Sequence, residues 1–286
     1  MTIATIDSQT ALYGVIGDPV GHSKSPVMMN RAFAETGVNG AYMAFHITPP
    51  MLGDFIRGVR AMDIRGVNVT IPHKQEVIPF LDEIDASAAA IGAVNTIVNR
   101  EGRLTGYNTD GIGYVRSLKE EAAPELTDKT ILLLGAGGAA RGIVHALVRE
   151  KPARIVISNR TPDKARALAA AYEDKGELVP ISQAELSAWC GRADVVINTT
   201  SIGMHPLVEA LPMDPDWLRP GTVVSDLIYN PLKTALLKEA EARECRIHGG
   251  LGMFIYQGAY AFEYWTGQPA PAAAMRASVL AALGQT

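Results

Sequence analysis

The sequence predicts an α/β fold in two domains. Short apolar runs of strand length alternate along the chain with segments of helical periodicity. A glycine-rich turn directly follows one continuous apolar run and opens a helix. At roughly 100–200 residues per domain, the 286 residues accommodate two domains or one large one.

In the first part, residues 12–17 (LYGVIG) read as a strand and residues 18–24 as a polar loop. Ser25-Pro26 then opens a helix, with Ser25 as N-cap and Pro26 at the first helical position, and Gly37 is placed to close it. Residues 41–47 read as a strand, 51–62 as a helix and 66–70 (GVNVT) as a strand. Residues 106–121 read as a joint, which sets a domain boundary near Asp110.

The second part starts near Thr130. Residues 131–134 (ILLL) form an apolar run expected of a strand buried on both faces. Ala140, Val144, Leu147 and Val148 follow at helical spacing, residues 155–157 give the next strand, and Ala165, Leu168, Ala169 and Tyr172 give another helical stripe. Residues 195–197 and 223–224 supply two more strands, and residues 252–265 and 272–283 are helical in pattern. The last helices are expected to return to the first part. The domains are then 1–109 with 250–286, and 110–249.

The turn between the strand at 131–134 and its helix reads Gly135-Ala136-Gly137-Gly138-Ala139-Ala140, a G-x-G-x-x-A pattern in the context a dinucleotide requires. Gly135 permits the tight turn. Gly137 lets a pyrophosphate approach the backbone, and the helix N-terminus favours the anion. A tight turn without a ligand is the plainer reading, and the strand–turn–helix context argues against it. The end of the next strand reads Ser158-Asn159-Arg160-Thr161-Pro162, with no acid before Asp163 to hold a ribose 2′-hydroxyl. Arg160 can instead pair with a 2′-phosphate, with neutral hydrogen bonds from Asn159 and Thr161. NADP is therefore expected over NAD. The competing reading makes Arg160 a surface charge and Thr161 a helix cap.

Composition narrows the function classes. The chain is 48% hydrophobic and 20% charged, ordinary for a globular protein and unlike a disordered one. Its net charge of −4 argues against a nucleic-acid partner, which would favour a basic face. Two cysteines, Cys190 and Cys245, rule out a disulfide framework and favour a reducing compartment. The start, residues 1–7, lacks a basic segment leading into an apolar core, and no apolar run approaches the roughly 20 residues of a membrane helix. A cytoplasmic protein with no membrane partner is expected. The six histidines show no ligand spacing, so no metal is expected; His22 and His73 read as structural.

Three polar segments in the first part exceed what packing needs. The first is His22-Ser23-Lys24-Ser25-Pro26, a loop running into a helix N-terminus where serine hydroxyls and the dipole favour an anion. The second is Asn68-Val69-Thr70-Ile71-Pro72-His73-Lys74, at a strand's end, where open α/β sheets place ligands. The third joins Gly92-Ala93-Val94-Asn95-Thr96 to Asn108-Thr109-Asp110-Gly111. Taken singly, Lys74 is a surface lysine and Asn95 and Asp110 are turn residues.

Taken in order, these segments resemble the shikimate dehydrogenase family over nearly the whole chain. The resemblance runs through HSKSP (22–26), NVTIPHK (68–74), GAVNT (92–96), NTDG (108–111), GAGGAA (135–140), NRT (159–161), NTTSIGM (198–204) and GGLGMFIYQ (249–257). It implies an N-terminal α/β substrate domain, a Rossmann-type doubly wound NADP-binding domain, and reversible reduction of 3-dehydroshikimate to shikimate with NADP, in aromatic amino-acid biosynthesis. By that resemblance, Ser23, Ser25 and Thr70 hold the substrate carboxylate, helped by Tyr229. Asn95, Gln257, Lys74 and Asp110 bind the ring hydroxyls, and Lys74 and Asp110 form the catalytic pair. Gly135, Ala136, Gly137, Gly138 and Ala139 wrap the pyrophosphate and Asn159, Arg160 and Thr161 take the adenosine phosphate. Leu227, Gly250 and Met253 lie near the nicotinamide. The chain departs from the family at Thr199, where relatives often have alanine, and at Gly249, where they often have aspartate.

Reducing a ketone by hydride transfer leaves an alkoxide that needs a proton. Lysine, with a reference pKa of about 10.4, is ordinarily a protonated acid at neutral pH. Lys74 is thus the expected general acid/base, oriented with the substrate hydroxyl by Asp110. The nearest rival is a quinate/shikimate dehydrogenase using NAD or NADP. A rival of another class is a non-catalytic sensor on the same fold, against which the presence of both Lys74 and Asp110 speaks. The expected partner is a small-molecule substrate, and the chain is expected to be a monomer or homodimer.

Overall fold

The computed structural model describes residues 6–284. Residues 1–5 of the opening stretch read above, and residues 285–286, lie outside them. The chain divides into two compact units: one runs up to Thr109 and resumes from Ile255, and the other is Asp110–Phe254.

The first unit carries β1 (Ala11–Gly17), α1 (Ser25–Thr36), β2 (Gly40–His46), α2 (Leu52–Ala61), β3 (Gly66–Val69), α3 (His73–Glu76), β4 (Glu83–Ile84), α4 (Ala86–Ile91), β5 (Thr96–Arg100) and β6 (Arg103–Tyr107). Its sheet runs β2-β1-β3-β5-β6-β4. β1 is parallel to both β2 and β3, while β5 is antiparallel to β3 and to β6. The C-terminal ends of β1 and β3 and the start of β5 therefore share one edge of the sheet. Ile16, Val67, Val69 and Ile97 are buried in one apolar cluster with Leu52, Ile56 and Val59 of α2. Each such side chain contributes roughly 1.5–3 kcal/mol relative to exposure.

One expectation fails in this unit. Ser25 is the first helical residue and not the N-cap; Lys24 occupies that position and makes no side-chain cap bond. The loop does the capping differently: the Ser25 amide donates to Ser23 Oγ at 3.2 Å. The first division between the units falls between Thr109 and Asp110, within the segment 106–121 and at the boundary expected there. Residues 106–121 hold the end of β6 and all of α5 (Asp110–Glu121). Gly111, which suggests a turn, is a packing glycine: a Cβ there would sit 2.0 Å from the Gly142 carbonyl oxygen.

The second unit continues with β7 (Thr130–Leu134), α6 (Gly138–Leu147), β8 (Arg154–Ser158), α7 (Pro162–Ala170), β9 (Leu178–Ile181), α8 (Leu186–Cys190), β10 (Val195–Asn198), β11 (Val223–Asp226), α9 (Ala235–Ala242) and β12 (Arg246–His248). Its sheet, β12-β11-β10-β7-β8-β9, is parallel throughout, with apolar clusters on both faces. Strand order reverses between β7 and β10, so a crevice opens at their C-terminal ends. This is the doubly wound Rossmann-type architecture. Cys190 and Cys245 are buried and unpaired with each other.

The chain ends with α10 (Leu251–Thr266) and α11 (Ala272–Ala282). The division between the units falls inside α10, after Phe254, and not at its start as expected. The helix's first turn is bound to the second unit: Met253 packs on its core, and a Cβ at Gly252 would lie 1.9 Å from Ser117 Oγ. Further along, Phe262 meets Phe33 at 5.7 Å and Trp265 meets Tyr13 at 5.3 Å between ring centroids. No helix among the described residues is long and apolar enough to cross a membrane.

Candidate active site

In the first unit the polar residues collect where β1 and β3 end and β5 begins. A chain of hydrogen bonds joins them. Ser25 lies beside the Tyr42 hydroxyl, whose O–H donates to Asn68 Oδ1 at 2.7 Å. Asn68 Nδ2 donates to Thr96 Oγ1 at 3.1 Å, and Thr96 Oγ1 donates to Asn95 Oδ1 at 3.0 Å. Asn95 Oδ1 also accepts the Thr109 amide at 2.8 Å, and Thr109 Oγ1 donates to the Gln257 carbonyl at 3.0 Å. Tyr42, Asn68, Asn95, Thr96 and Thr109 are all buried. Burial pushes the Tyr42 phenol well above its ordinary value, so it remains a neutral donor. A buried polar network of this kind fixes its members only when each is satisfied.

The network brings Ser23, Ser25, Asn95 and the backbone of Gln257 into one framework. Thr70 follows β3 and packs against Gly17, where a Cβ would meet the threonine methyl at 2.5 Å. Lys74 is half-buried in α3, and its carbonyl accepts the Val94 amide at 2.7 Å, which ties the lysine's turn to the segment before Asn95. His73 beside it is structural: it is fully buried, with Nε2 donating to the Ile47 carbonyl at 2.6 Å.

Asp110 and Tyr229 belong to the second unit. Asp110 is buried and opens α5. Tyr229 stacks on Phe254 with centroids 4.6 Å apart, and burial raises its phenol pKa. Nearby, Gly250 allows backbone contact: its Cβ would lie 2.0 Å from the Leu227 carbonyl oxygen. Leu227 and Met253 pack against the same apolar cluster as Ala136.

The glycine turn follows β7. Gly135 has φ +108°, and a Cβ there would sit 2.5 Å from Thr199 Oγ1. That hydroxyl donates to the Leu134 carbonyl at 2.8 Å, so the threonine that departs from the family pattern tethers the turn to the strand end. Gly137 and Gly138 are different. A Cβ on either meets nothing within 4 Å, and both lie at the start of α6, which has no acid in its first turn. The space in front of a helix N-terminus is therefore open and electropositive, suited to a phosphate. Asn159 Oδ1 accepts the Ala136 amide at 3.2 Å and Asn159 Nδ2 donates to the Thr161 carbonyl at 2.8 Å, which joins the turn to the end of β8. Thr161 holds the N-cap position of α7 without a side-chain cap bond, and Arg160 is exposed with no ion pair among the described residues.

Sequence reasoning passes over three residues here. Tyr42 reads as a core aromatic in a strand, and Thr109 as turn chemistry; only their buried hydrogen bonds reveal them as supports. Lys164 sits in the first turn of α7, exposed and without an ion pair among the described residues, four positions after Arg160 in sequence. Asp163 pairs with Arg166.

Family comparisons cover most of the chain. A model described as shikimate dehydrogenase substrate binding domain matches residues 15–97. One described as shikimate / quinate 5-dehydrogenase matches residues 117–214, and one described as shikimate 5'-dehydrogenase C-terminal domain matches residues 250–280. A shikimate dehydrogenase (NADP(+)) of Geobacillus kaustophilus is 52% identical over 272 residues, covering 95% of this chain and 98% of the relative. A solved shikimate dehydrogenase in complex with NADP+ superposes with a TM-score of 0.92 at 42% identity, covering 98% of both chains. The shikimate 5-dehydrogenase of Thermus thermophilus, solved with NADP(H) and shikimate, gives a TM-score of 0.87 at 34% identity, covering 96% of this chain and 100% of that one.

Proposed function

The chain belongs to the shikimate dehydrogenase family, and we propose on that premise how its residues carry out the NADP-dependent, reversible reduction of 3-dehydroshikimate to shikimate. The observation that carries the cofactor reading is the open cradle at Gly137 and Gly138, with Arg160, which has no ion pair among the described residues, just after the end of the neighbouring strand. Backbone amides of Ala136–Ala139 would hold the pyrophosphate, and Arg160 with Lys164 the 2′-phosphate. Leu227, Gly250 and Met253 would flank the nicotinamide. When bound, NADPH supplies the hydride.

The protein's own groups do the rest. Ser23, Ser25 and Thr70 donate hydrogen bonds to the substrate carboxylate, assisted by Tyr229. Asn95 and Gln257 hold ring hydroxyls, and the buried network behind Asn95 keeps its amide from reorienting. Lys74 donates a proton from Nζ to the oxygen that gains charge as the ketone is reduced, and it takes that proton back in the oxidation direction. Asp110 accepts a hydrogen bond from the substrate hydroxyl and orients it. A sensor of the same ligands would need no such proton donor.

A two-by-two assay of nicotinamide absorbance tests this reading, with shikimate or quinate as substrate and NADP+ or NAD+ as acceptor. Turnover is expected to be most efficient with shikimate and NADP+. Absence of turnover with every pair would refute an enzymatic role, and a preference for NAD+ would refute the role given to Arg160.

A further inference from the structure

In the second unit β10 and β11 finish side by side on Asn198 and Asp226, which are register partners. Both side chains are fully buried. Three neutral donors converge on the Asp226 carboxylate. Oδ1 accepts the Ile228 amide at 3.1 Å and Asn198 Nδ2 at 3.2 Å, and Oδ2 accepts Thr234 Oγ1 at 2.8 Å. No cation among the described residues acts on it. Burying a carboxylate without a cation is costly, and an apolar side chain would fill the same place at less cost. What the carboxylate provides lies in its partners, each of which belongs to a different segment.

The Ile228 bond closes the turn after β11. The Ile228 carbonyl accepts the Gly250 amide at 3.2 Å, and the Leu227 amide donates to the Asn198 carbonyl at 3.1 Å. Asn198 Oδ1 accepts the Thr200 amide at 3.0 Å, which bends the chain after β10. Thr234 is the N-cap of α9, where its Oγ1 accepts the Leu237 amide at 3.4 Å. One carboxylate thus ties together the ends of β10 and β11, the start of α9 and, through Ile228, the residues that lead into α10. Gly250 has no slack in this arrangement: a Cβ there would lie 2.0 Å from the Leu227 carbonyl oxygen and 2.8 Å from the Ile228 carbonyl carbon.

We propose that Asp226 is a positioning residue for hydride transfer, fixing the backbone of Leu227, Ile228 and Gly250 against which the nicotinamide rests, on the reading that Leu227, Gly250 and Met253 flank that ring. Fully buried, it acts through this backbone and not by touching cofactor or substrate. The adenosine end of the cofactor, at Gly137, Gly138 and Arg160, does not depend on it.

Steady-state reduction of 3-dehydroshikimate by NADPH tests this, with adenosine 2′,5′-bisphosphate as a probe that carries the 2′-phosphate but no nicotinamide. A misplacement of about 1 Å costs up to about a hundredfold, so Asp226→Ala is expected to lower kcat by about ten- to a hundredfold. With NADPH deuterated at the transferred hydride, its primary isotope effect should be at least as large as that of wild type. The probe should inhibit Asp226→Ala with the wild-type inhibition constant, whereas Arg160→Ala should weaken it. Asp226→Asn is the rescue: the amide oxygen accepts from Ile228 and Asn198 and the NH2 donates to Thr234 Oγ1, so kcat should return to within about threefold of wild type. If Asp226→Ala does not fold, Asn198→Ala, which keeps the Ile228 and Thr234 bonds, should show the same split with a several-fold loss of kcat. A merely structural role would lower the melting temperature without that split. An unchanged kcat, a smaller isotope effect, equal weakening of the probe, or Asp226→Asn as slow as Asp226→Ala would overturn the proposal alone. Wild type that neither turns over nor binds the probe would overturn the dehydrogenase reading and the proposal with it.

Discussion

At the strand ends of the first unit, Asn68, Thr96, Asn95 and Thr109 are buried and linked in that order through their side chains. At the strand ends of the second, what faces outward is backbone at Gly137 and Gly138, followed by an exposed arginine. The first arrangement holds side chains in place with side chains. The second succeeds by leaving side chains out. A small polyhydroxylated ring needs several groups at set angles, each supported from behind. A pyrophosphate needs only amides and room to approach. The two regions should therefore respond to mutation in different ways, and that contrast can be tested.

Lys74→Ala should have the largest effect. Loss of a general acid lowers kcat by roughly 10²–10⁴, and the half-buried side chain can be removed with little change in thermal midpoint. A kcat within a few-fold of wild type would remove Lys74 from the chemistry. Arg160→Ala comes next. Losing a charge-assisted bond to the 2′-phosphate is worth about 1.5–3 kcal/mol, or roughly 10–100-fold in kcat/KM for NADP+. Its kcat/KM for NAD+ should stay near the wild-type value, as steady-state kinetics with both acceptors will show.

Asn68→Ala probes the buried network. It removes the acceptor of the Tyr42 hydroxyl and should cost about 1–3 kcal/mol in urea denaturation. Gly137→Ala should cost no stability, because its Cβ meets open space, while weakening NADP+ binding. If Asn68→Ala is neutral and Gly137→Ala unfolds the protein, the contrast between the regions is wrong.

The smallest expected effect is a pH dependence behind the cofactor turn. Asp226 is fully buried, and burial raises its pKa despite bonds from the Ile228 amide, Thr234 and Asn198. A carboxyl whose folded pKa lies above the unfolded value contributes stability that is present below about pH 4 and is lost as pH rises through the folded pKa. The stability of wild type relative to Asp226→Asn should therefore fall as pH rises from about 4 towards neutrality. A rising difference would contradict this account.

The contrast also explains what could be read from the sequence. The glycine turn is local: strand, turn and helix are contiguous, so GAGGAA reveals itself. The α/β class and the parallel strands at 131–134 and 155–157 are likewise written in continuous apolar runs. The antiparallel pair β5–β6 is not, because its turn at Glu101-Gly102 places a glutamate at φ +53°, a residue that gives no hairpin signal. Helix α5 hides behind Gly111 and Gly113, which lower helix propensity. Ser25 looks like a cap because nothing in sequence shows that Ser23 is nearer the free amide. The network through Tyr42 and Thr109 spans strands far apart in the chain, so only the fold assembles it.

The most direct test of the division of labour is steady-state kinetics of Lys74→Ala and Arg160→Ala, run side by side with varied NADP+ at saturating shikimate. Lys74→Ala is predicted to lose kcat with an NADP+ KM close to wild type, and Arg160→Ala to raise that KM with kcat largely kept. If Arg160→Ala loses kcat at an unchanged KM, or Lys74→Ala changes only KM, then chemistry and cofactor binding are not divided between the two regions as described.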